Sequence, residues 1–297
     1  MRVVISGATG LIGTALCTTL ADAGHDVVRL VRRNPAAGDI LWDPARGSLP
    51  ADSLKGTDAV VHLAGAGIGD RRWSDAYRRE ILESRTASTS LLAEAIAGTE
   101  GGPRVFLSGS AIGYYGATGD EELDESSPAG TGFLADVCAQ WEAATAPADK
   151  AGARVAHLRT GIVLSPAGGA LKKLLPLFAI GAGGRFGSGR QWQSWISLPD
   201  EVGAIVHLLG ADVSGPVNLT APNPLTNAEF TKVLAKVMRR PALLPVPRIG
   251  PALLLGGDLA DALLYTGQRV VPGVLSRSGY QFQHATLEVA LRALLNR

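Results

Sequence analysis

The chain has 297 residues, 46% of them hydrophobic, and its 28 basic and 27 acidic side chains leave a formal net charge of +1. This length and apolar content suffice for a large buried core, while the balanced charge offers no overall field for a nucleic acid or a membrane surface. No apolar run approaches the roughly 18–20 unbroken residues of a membrane span, and Pro251–Leu264, which comes nearest, is interrupted by glycines and aspartates.

The opening MRVVIS enters a strand at once, so no leader is expected. Strand-like apolar runs follow at Val3–Ser6, Asp26–Val31, Asp39–Trp42, Asp58–Ala64, Arg104–Ser108 and Arg154–Leu158. The first, second, fourth and fifth are nearly continuous in Val, Leu and Ile, as strands buried on both faces require. Helical patterns lie between them at Leu11–Ala23, Trp73–Ala97 and Gly132–Ala151, each stopped by a glycine. Strands alternating with helices predict an α/β fold with a parallel, doubly wound sheet of the Rossmann type. A long Gly-, Pro- and Trp-bearing stretch then runs from Ser165 to Pro199. Beyond it the sequence predicts a helix from near Asp200, a strand at Pro216–Pro222 and a helix at Thr226–Met238, and the remainder reads as helical with Pro-rich breaks. The expected domains are a nucleotide-binding unit over 1–164, to which 200–222 return, and a smaller substrate-binding unit from 165–199 and 223–297. Cys17 and Cys138 make neither a disulfide framework nor a metal cluster, and they suit a reducing, cytoplasmic setting. His207 and His284 sit in helical apolar surroundings and read as packing residues, so no metal is expected.

The most informative segment is VVISGATGLIGTALCTTL, Val3 to Leu20. Gly7, Gly10 and Gly13 lie three apart between a strand and a helix, the context in which a glycine turn cradles a dinucleotide pyrophosphate. Gly7 permits the tight turn, Gly10 lets backbone N–H groups approach the phosphates, and Gly13 lets the helix pack close to the strand. The helix N-terminus then faces the anion. At the end of the second strand the chain reads RLVRRNP, with Arg32 and Arg33 and no acid before Asp39. A carboxylate there would bond the 2′-hydroxyl of NAD, whereas NADP needs a cation, so the expected cofactor is NADP(H).

HLAGAG (His62–Gly67), SGS (Ser108–Ser110), LRTGIVLSP (Leu158–Pro166) and WISLPDEV (Trp195–Val202) join the glycine turn in a chain that resembles the extended short-chain dehydrogenase/reductases. GYYG (Gly113–Gly116), FLADVCAQWE (Phe133–Glu142), GGRFGSGRQWQSWI (Gly183–Ile196) and RVVPGVLSRSGYQF (Arg269–Phe282) narrow the resemblance to an atypical subgroup, the "epimerase family", over essentially the whole length. The resemblance implies a small C-terminal domain and a homodimer formed through two helices of the sheet's outer face. It also implies cofactor contacts at Thr9, Leu11 and Ile12, at Ala64 and Gly65, at Arg85 and Ser108, and at Thr160, Gly161 and Ile162.

The wider superfamily uses a serine with a Tyr-x-x-x-Lys pair, the cation lowering the phenol's pKa for proton transfer. Counting back from Glu142, the tyrosine slot holds Leu134 and the lysine slot Cys138, and neither can do that work. Ser110 keeps the serine position, and Arg85 falls near the usual asparagine. Tyr114 and Tyr115, on the loop leaving the fifth strand, read either as proton donors or as walls that stack on a ligand. Arg85 reads as a group polarising a carbonyl or holding an anion, or as an ion-pair partner of Glu80 or Glu83. Cys138 reads as a nucleophile without an evident histidine or as a small core residue.

On the substrate side, Arg71 and Trp73 follow the fourth strand, and Arg185, Arg190, Trp192 and Trp195 occupy the glycine-rich segment. Arginine with tryptophan suits a flat or anionic small molecule, and the glycines of Gly181–Gly189 suit a mobile lid. The other reading has the tryptophans packing the small domain onto the sheet. Tyr280 and Phe282 either close over the same cleft or staple the tail. Two functions therefore compete: an NADP(H)-dependent oxidoreductase or epimerase-like enzyme acting through Ser110 with Tyr114 or Tyr115, and a non-catalytic NADPH-binding sensor.

Overall fold

The computed structural model describes residues 1–242 and 244–297. In chain order the strands are β1 (Arg2–Ser6), β2 (Asp26–Val31), β3 (Ile40–Leu41), β4 (Ala59–His62), β5 (Val105–Ala111), β6 (Glu122–Leu123), β7 (Arg154–Thr160), β8 (Ile162–Leu164), β9 (Trp192–Gln193), β10 (Trp195–Ser197), β11 (Gly215–Leu219), β12 (Leu225–Thr226) and β13 (Arg269–Val270). The helices are α1 (Leu11–Asp22), α2 (Asp75–Gly98), α3 (Phe133–Ala143), α4 (Ala146–Lys150), α5 (Gly169–Ala179), α6 (Leu198–Gly210), α7 (Asn227–Met238), α8 (Ile249–Leu255), α9 (Gly257–Ala260), α10 (Gly273–Arg277) and α11 (Leu287–Leu295).

Seven parallel strands form the main sheet in the order β11-β7-β5-β4-β1-β2-β3. Strand alternation sorts their side chains onto two faces. Val3, Ile5, Val61 and Leu107 point toward α1 and α6, where Leu16, Leu20, Ile205 and Leu208 complete one core. Val4, Val60 and Phe106 point the other way, toward Leu92, Ala93 and Ile96 of α2 and Ala148 of α4. The sheet is thus the doubly wound α/β structure that the sequence predicts. Strand order reverses between β1 and β4, so a crevice opens at their carboxyl ends, where such sheets bind ligands.

A second core gathers Leu171 and Phe178 of α5, Trp195, Phe230 and Leu234 of α7, and Leu287 and Leu291 of α11. The tail is pinned by Asp200, a fully buried carboxylate that accepts hydrogen bonds from Tyr280 Oη, Gln283 N and His284 N at 2.7–3.1 Å. Tyr280 packs on His207 and Phe282, and His284 Nδ1 lies 2.8 Å from Ser197 Oγ. These aromatic and imidazole groups therefore staple the C-terminal segment. Among the described residues no helix is long and apolar enough to cross a membrane.

Two sequence expectations need correction. The single helix expected over Gly132–Ala151 is two, broken after Ala143. Pro147 has no N–H to continue the ladder, and the Thr145 hydroxyl bonds instead to the carbonyl of Glu142. The stretch Ser165–Pro199 contains the helix α5, with Pro176 inside it.

Candidate cofactor cleft and active site

The turn after β1 is built by close approach. Gly7 has φ +69°, and a Cβ there would lie 2.7 Å from the carbonyl of Leu63. Gly13 is tighter, since its Cβ would lie 2.2 Å from Gly7 O. Gly10 caps α1 with no side chain, and no acid stands in the first helical turn. The first N–H groups of α1 are therefore open to an anion. They face a cleft of about 290 Å³ lined by Gly7, Gly10, Leu11, Ile12, Gly13 and Leu63 on one side and by Ile162, Val163, Gly169 and Ala170 on the other. Thr9 is exposed at its mouth.

A buried polar chain fixes the wall beside Gly7. Ser88 Oγ donates to Ser84 O at 2.7 Å, so it accepts from His62 Nε2 at 3.0 Å. His62 Nδ1 then accepts from Ser6 Oγ, whose lone pairs take the N–H groups of Leu63 and Ala64. Burial, with the Arg85 cation nearby, pushes the His62 pKa down to about 3 and keeps the ring neutral in this role. Gly65 follows, exposed, with the Arg85 guanidinium beside it.

At the end of β2, Arg32 and Arg33 are both exposed. Asp39, the first acid beyond them, is held bidentately by Arg29 at 2.8 Å and accepts from Ala36 N at 2.9 Å. That pairing lowers its pKa, the hydrogen bond from Arg29 being the main cause. The carboxylate is therefore engaged elsewhere, and the two arginines are free to meet a phosphate.

Ser110, next to last in β5, lies directly across from Arg159 of β7. Arg159 grips Glu142 of α3 with two hydrogen bonds of 2.8 Å, and Glu142 also accepts from Ser110 Oγ at 2.7 Å. Arg159 bonds the Tyr115 hydroxyl at 3.0 Å, which donates to Asn218 Oδ1 at 2.7 Å, and the guanidinium lies 3.5 Å from the centre of the Tyr114 ring. Burial works against the Arg159 cation, but the Glu142 carboxylate more than reverses this and raises its pKa. An ionised carboxylate only accepts, so the proton of the buried Ser110 hydroxyl points at Glu142.

Several expected site residues lie elsewhere. Tyr115 is fully buried with its hydroxyl committed, and burial raises its pKa, so of the two tyrosines only the half-buried Tyr114 can face a ligand. Ser108 is fully buried and turned to Gly109 O, so its side chain offers the cofactor nothing. Thr160 spends its hydroxyl on the buried Glu201 at 2.9 Å. Gly161 packs against the Ser194 carbonyl, whereas Ile162, whose N–H donates to Ser194 O, does line the cleft as expected. Trp195 is fully buried in the second core and donates to Asn223 O, so it is a packing residue. Cys138 is buried, and desolvation, with Glu142 second, pushes its thiol up to about 11, which removes it as a nucleophile. Arg85 pairs with neither Glu80 nor Glu83. It donates to Ala66 O and Ile81 O at 2.9 Å and lies over Trp141 at 5.0 Å.

Of the residues expected on the substrate side, Trp73 packs edge-on against Phe133 and donates to Ile68 O, and Arg71 is exposed near Glu80. Trp192 donates to Asp120 and lies under Arg269. Arg185 and Arg190 are exposed. The segment from α8 to Tyr265 bridges the two sides. Arg72 bonds the carbonyls of Leu253 and Leu254, Arg78 pairs with Asp258, and Gln191 holds Leu264 O at 2.6 Å. Sequence reasoning placed Glu142 on its helix but missed its partner. An arginine inside the apolar strand VAHLRT was the available signal, because a buried cation demands a partner.

Comparison with known proteins fits this geometry. Residues 3–220 match the NAD dependent epimerase/dehydratase family. The chain belongs to that family. Residues 246–294 match a C-terminal domain of unknown function, DUF1731. An epimerase family protein of Mycobacterium bovis is 47% identical over 291 residues, covering 97% of this chain and 96% of the relative. The human epimerase family protein SDR39U1 is 38% identical over 300 residues, covering 99% of this chain and 100% of its own length. The crystal structure of the human protein (isoform 2) with NADPH superposes with a TM-score of 0.92 at 36% identity, over 100% of both chains. A nucleoside-diphosphate sugar epimerase from Corynebacterium glutamicum superposes with a TM-score of 0.83 at 39% identity, covering 99% of this chain and 58% of that one.

Proposed function

We propose that this family member binds NADP(H) and is an oxidoreductase or epimerase-like enzyme acting on a small alcohol or carbonyl compound, sugar-like or anionic. The observation that carries the reading is the uncapped α1 N-terminus facing a glycine-lined cleft, with Arg32 and Arg33 unopposed because Asp39 is taken by Arg29. NADPH in the crystal of the human relative supports it. Gly10, Leu11, Ile12 and Gly13 would take the pyrophosphate on their backbone N–H groups, and Arg32 with Arg33 the 2′-phosphate. The cofactor supplies hydride.

The chain's own residues supply orientation. Ser110 offers its lone pairs to a ligand hydroxyl, Glu142 fixes its proton, and Arg159 fixes Glu142. Arg71, Arg185 and Arg190 are exposed and would serve as anion contacts, with Trp73 and Trp192 as the flat surfaces beside them. A cytoplasmic, reducing setting suits the two free thiols.

Leu134 and the high-pKa Cys138 in place of the usual tyrosine and lysine favour a second reading, a sensor that binds NADPH without turning it over. Purified protein is incubated with NADPH and a panel of small carbonyl compounds, and oxidation is followed at the nicotinamide absorbance. The enzyme reading predicts turnover that falls at least about tenfold in Ser110→Ala, since one hydrogen bond in the transition state contributes of this order. Tight NADPH binding with no turnover across the panel, unaltered by Ser110→Ala, decides for the sensor.

A further inference from the structure

Two stretches of the chain contain no acidic residue. From Ser165 to Pro199 the charged groups are Lys172, Lys173, Arg185 and Arg190. From Phe230 to Gly257 they are Lys232, Lys236, Arg239, Arg240 and Arg248. The fold lays these stretches against one another. Arg240 donates to Ala179 O at 2.9 Å, Val246 N donates to Arg185 O at 2.8 Å, and a Cβ on Gly184 would meet the carbonyl of Leu244. A chain of net charge +1 therefore carries a cationic pole, and its excess acids lie elsewhere.

The same two stretches hold six of the nine large hydrophobic side chains exposed among the described residues: Leu177, Ile180, Leu244, Ile249, Leu253 and Leu254. Five of them are at least 68% exposed. Along α5 and its C-capping residue Ile180, Lys173, Leu177 and Ile180 follow the i, i+4, i+7 spacing of one helix face, and on α8, Ile249 and Leu253 are four apart. Two cations in the region have acidic partners, Lys236 with Glu288 and Arg248 with Asp261. Lys172, Lys173 and Arg239 are exposed.

Exposed aliphatic side chains clustered within a cationic surface mark an interaction site. Single-stranded nucleic acid would call for stacking aromatic groups among the cations, and a duplex, which the cations alone could hold, would leave the exposed leucines and isoleucines without an apolar partner. We propose that this face, formed by the end of α5, the segment after α7 and α8, docks on a bilayer bearing anionic headgroups. The leucines and isoleucines enter the boundary between headgroups and acyl chains, and the lysines and arginines pair with the headgroups. The docking is peripheral and is carried by the exposed lysines and aliphatic side chains rather than by the cleft lining.

The test is co-sedimentation of the full chain with vesicles of phosphatidylcholine and phosphatidylglycerol in equal parts, and of phosphatidylcholine alone. Binding is expected to the anionic vesicles only, weakening as salt rises. Reversing both charges in Lys172→Glu/Lys173→Glu should weaken it at least roughly tenfold. Leu253→Ser/Leu254→Ser, on a separate element, should weaken it comparably. All four side chains are exposed, so thermal melts should match the parent and separate loss of docking from loss of fold. Absence of binding at low salt would overturn the proposal, as would undiminished binding by either double variant. Capture on duplex DNA or an acidic polypeptide, with none on vesicles, would overturn it as well.

Discussion

Gly13→Ala is expected to abolish nucleotide binding and to lower stability by about 3 kcal/mol, as overpacking against a fixed backbone does. The added methyl would lie 2.2 Å from Gly7 O and 2.9 Å from Ala8 Cα. The turn cannot retreat, because Gly7 is already pressed against the Leu63 carbonyl. The methyl therefore pushes α1 away from β1 and moves the N–H groups that face the cleft. Alanine is intrinsically the better helix residue by about 1 kcal/mol, so propensity alone predicts the opposite sign. Gly98→Ala, also helical but with nothing within 4 Å of its Cβ, is the matched control and should be neutral or slightly stabilising. In thermal melts Gly13→Ala should lose roughly 6–12 °C, and added NADPH, expected to raise the parent's midpoint, should leave the variant's unchanged. A Gly13→Ala protein that melts like the parent and is stabilised by NADPH contradicts the close packing of α1 on β1.

Glu142→Gln should cost about 3–5 kcal/mol, the expected loss when one partner of a buried ion pair is removed. Arg159 and Glu142 side chains are 4% and 10% exposed. The amide leaves the guanidinium charge uncompensated beside Tyr115 and Asn218, which are neutral. It also frees the Ser110 hydroxyl from its carboxylate acceptor, so the turnover proposed above should fall with stability. Glu142→Leu combined with Arg159→Met removes both charges and should recover much of the stability, because the desolvation cost disappears with the pair. It should not recover activity, since Ser110 stays unanchored. Urea unfolding of the parent, the single and the double variant measures all three quantities. A loss under about 1 kcal/mol for Glu142→Gln, the level of an exposed pair, would contradict the buried clamp.

Much of this was legible before any coordinates. Strands buried on both faces must be continuously apolar, and Val3–Ile5, Ala59–Val61 and Val105–Leu107 announced themselves that way. The glycine triplet announced the cleft because its chemistry is local: turn, approach and helix start lie within seven residues. What was hidden depends on partners distant in sequence. Arg159 meets Glu142 and Ser110 only through the register of β5 with β7. Trp195 looked like a cleft residue among glycines, but the three-residue strand β10 turns it into the second core. The helix α5 is masked by Gly168 at its cap, Gly169 at its first position and Pro176 within it, residues that ordinarily signal a loop. The net charge of +1 concealed the cationic pole, because a sum over the chain discards position.

Fluorescence titration of the purified protein with NADPH and NADH, beside Arg32→Ala, tests the central claim most directly. The account predicts tight binding that favours NADPH by at least about tenfold, as a guanidinium–phosphate contact contributes of that order, with the preference reduced in Arg32→Ala. Binding of neither nucleotide, or equal binding of both, would contradict it.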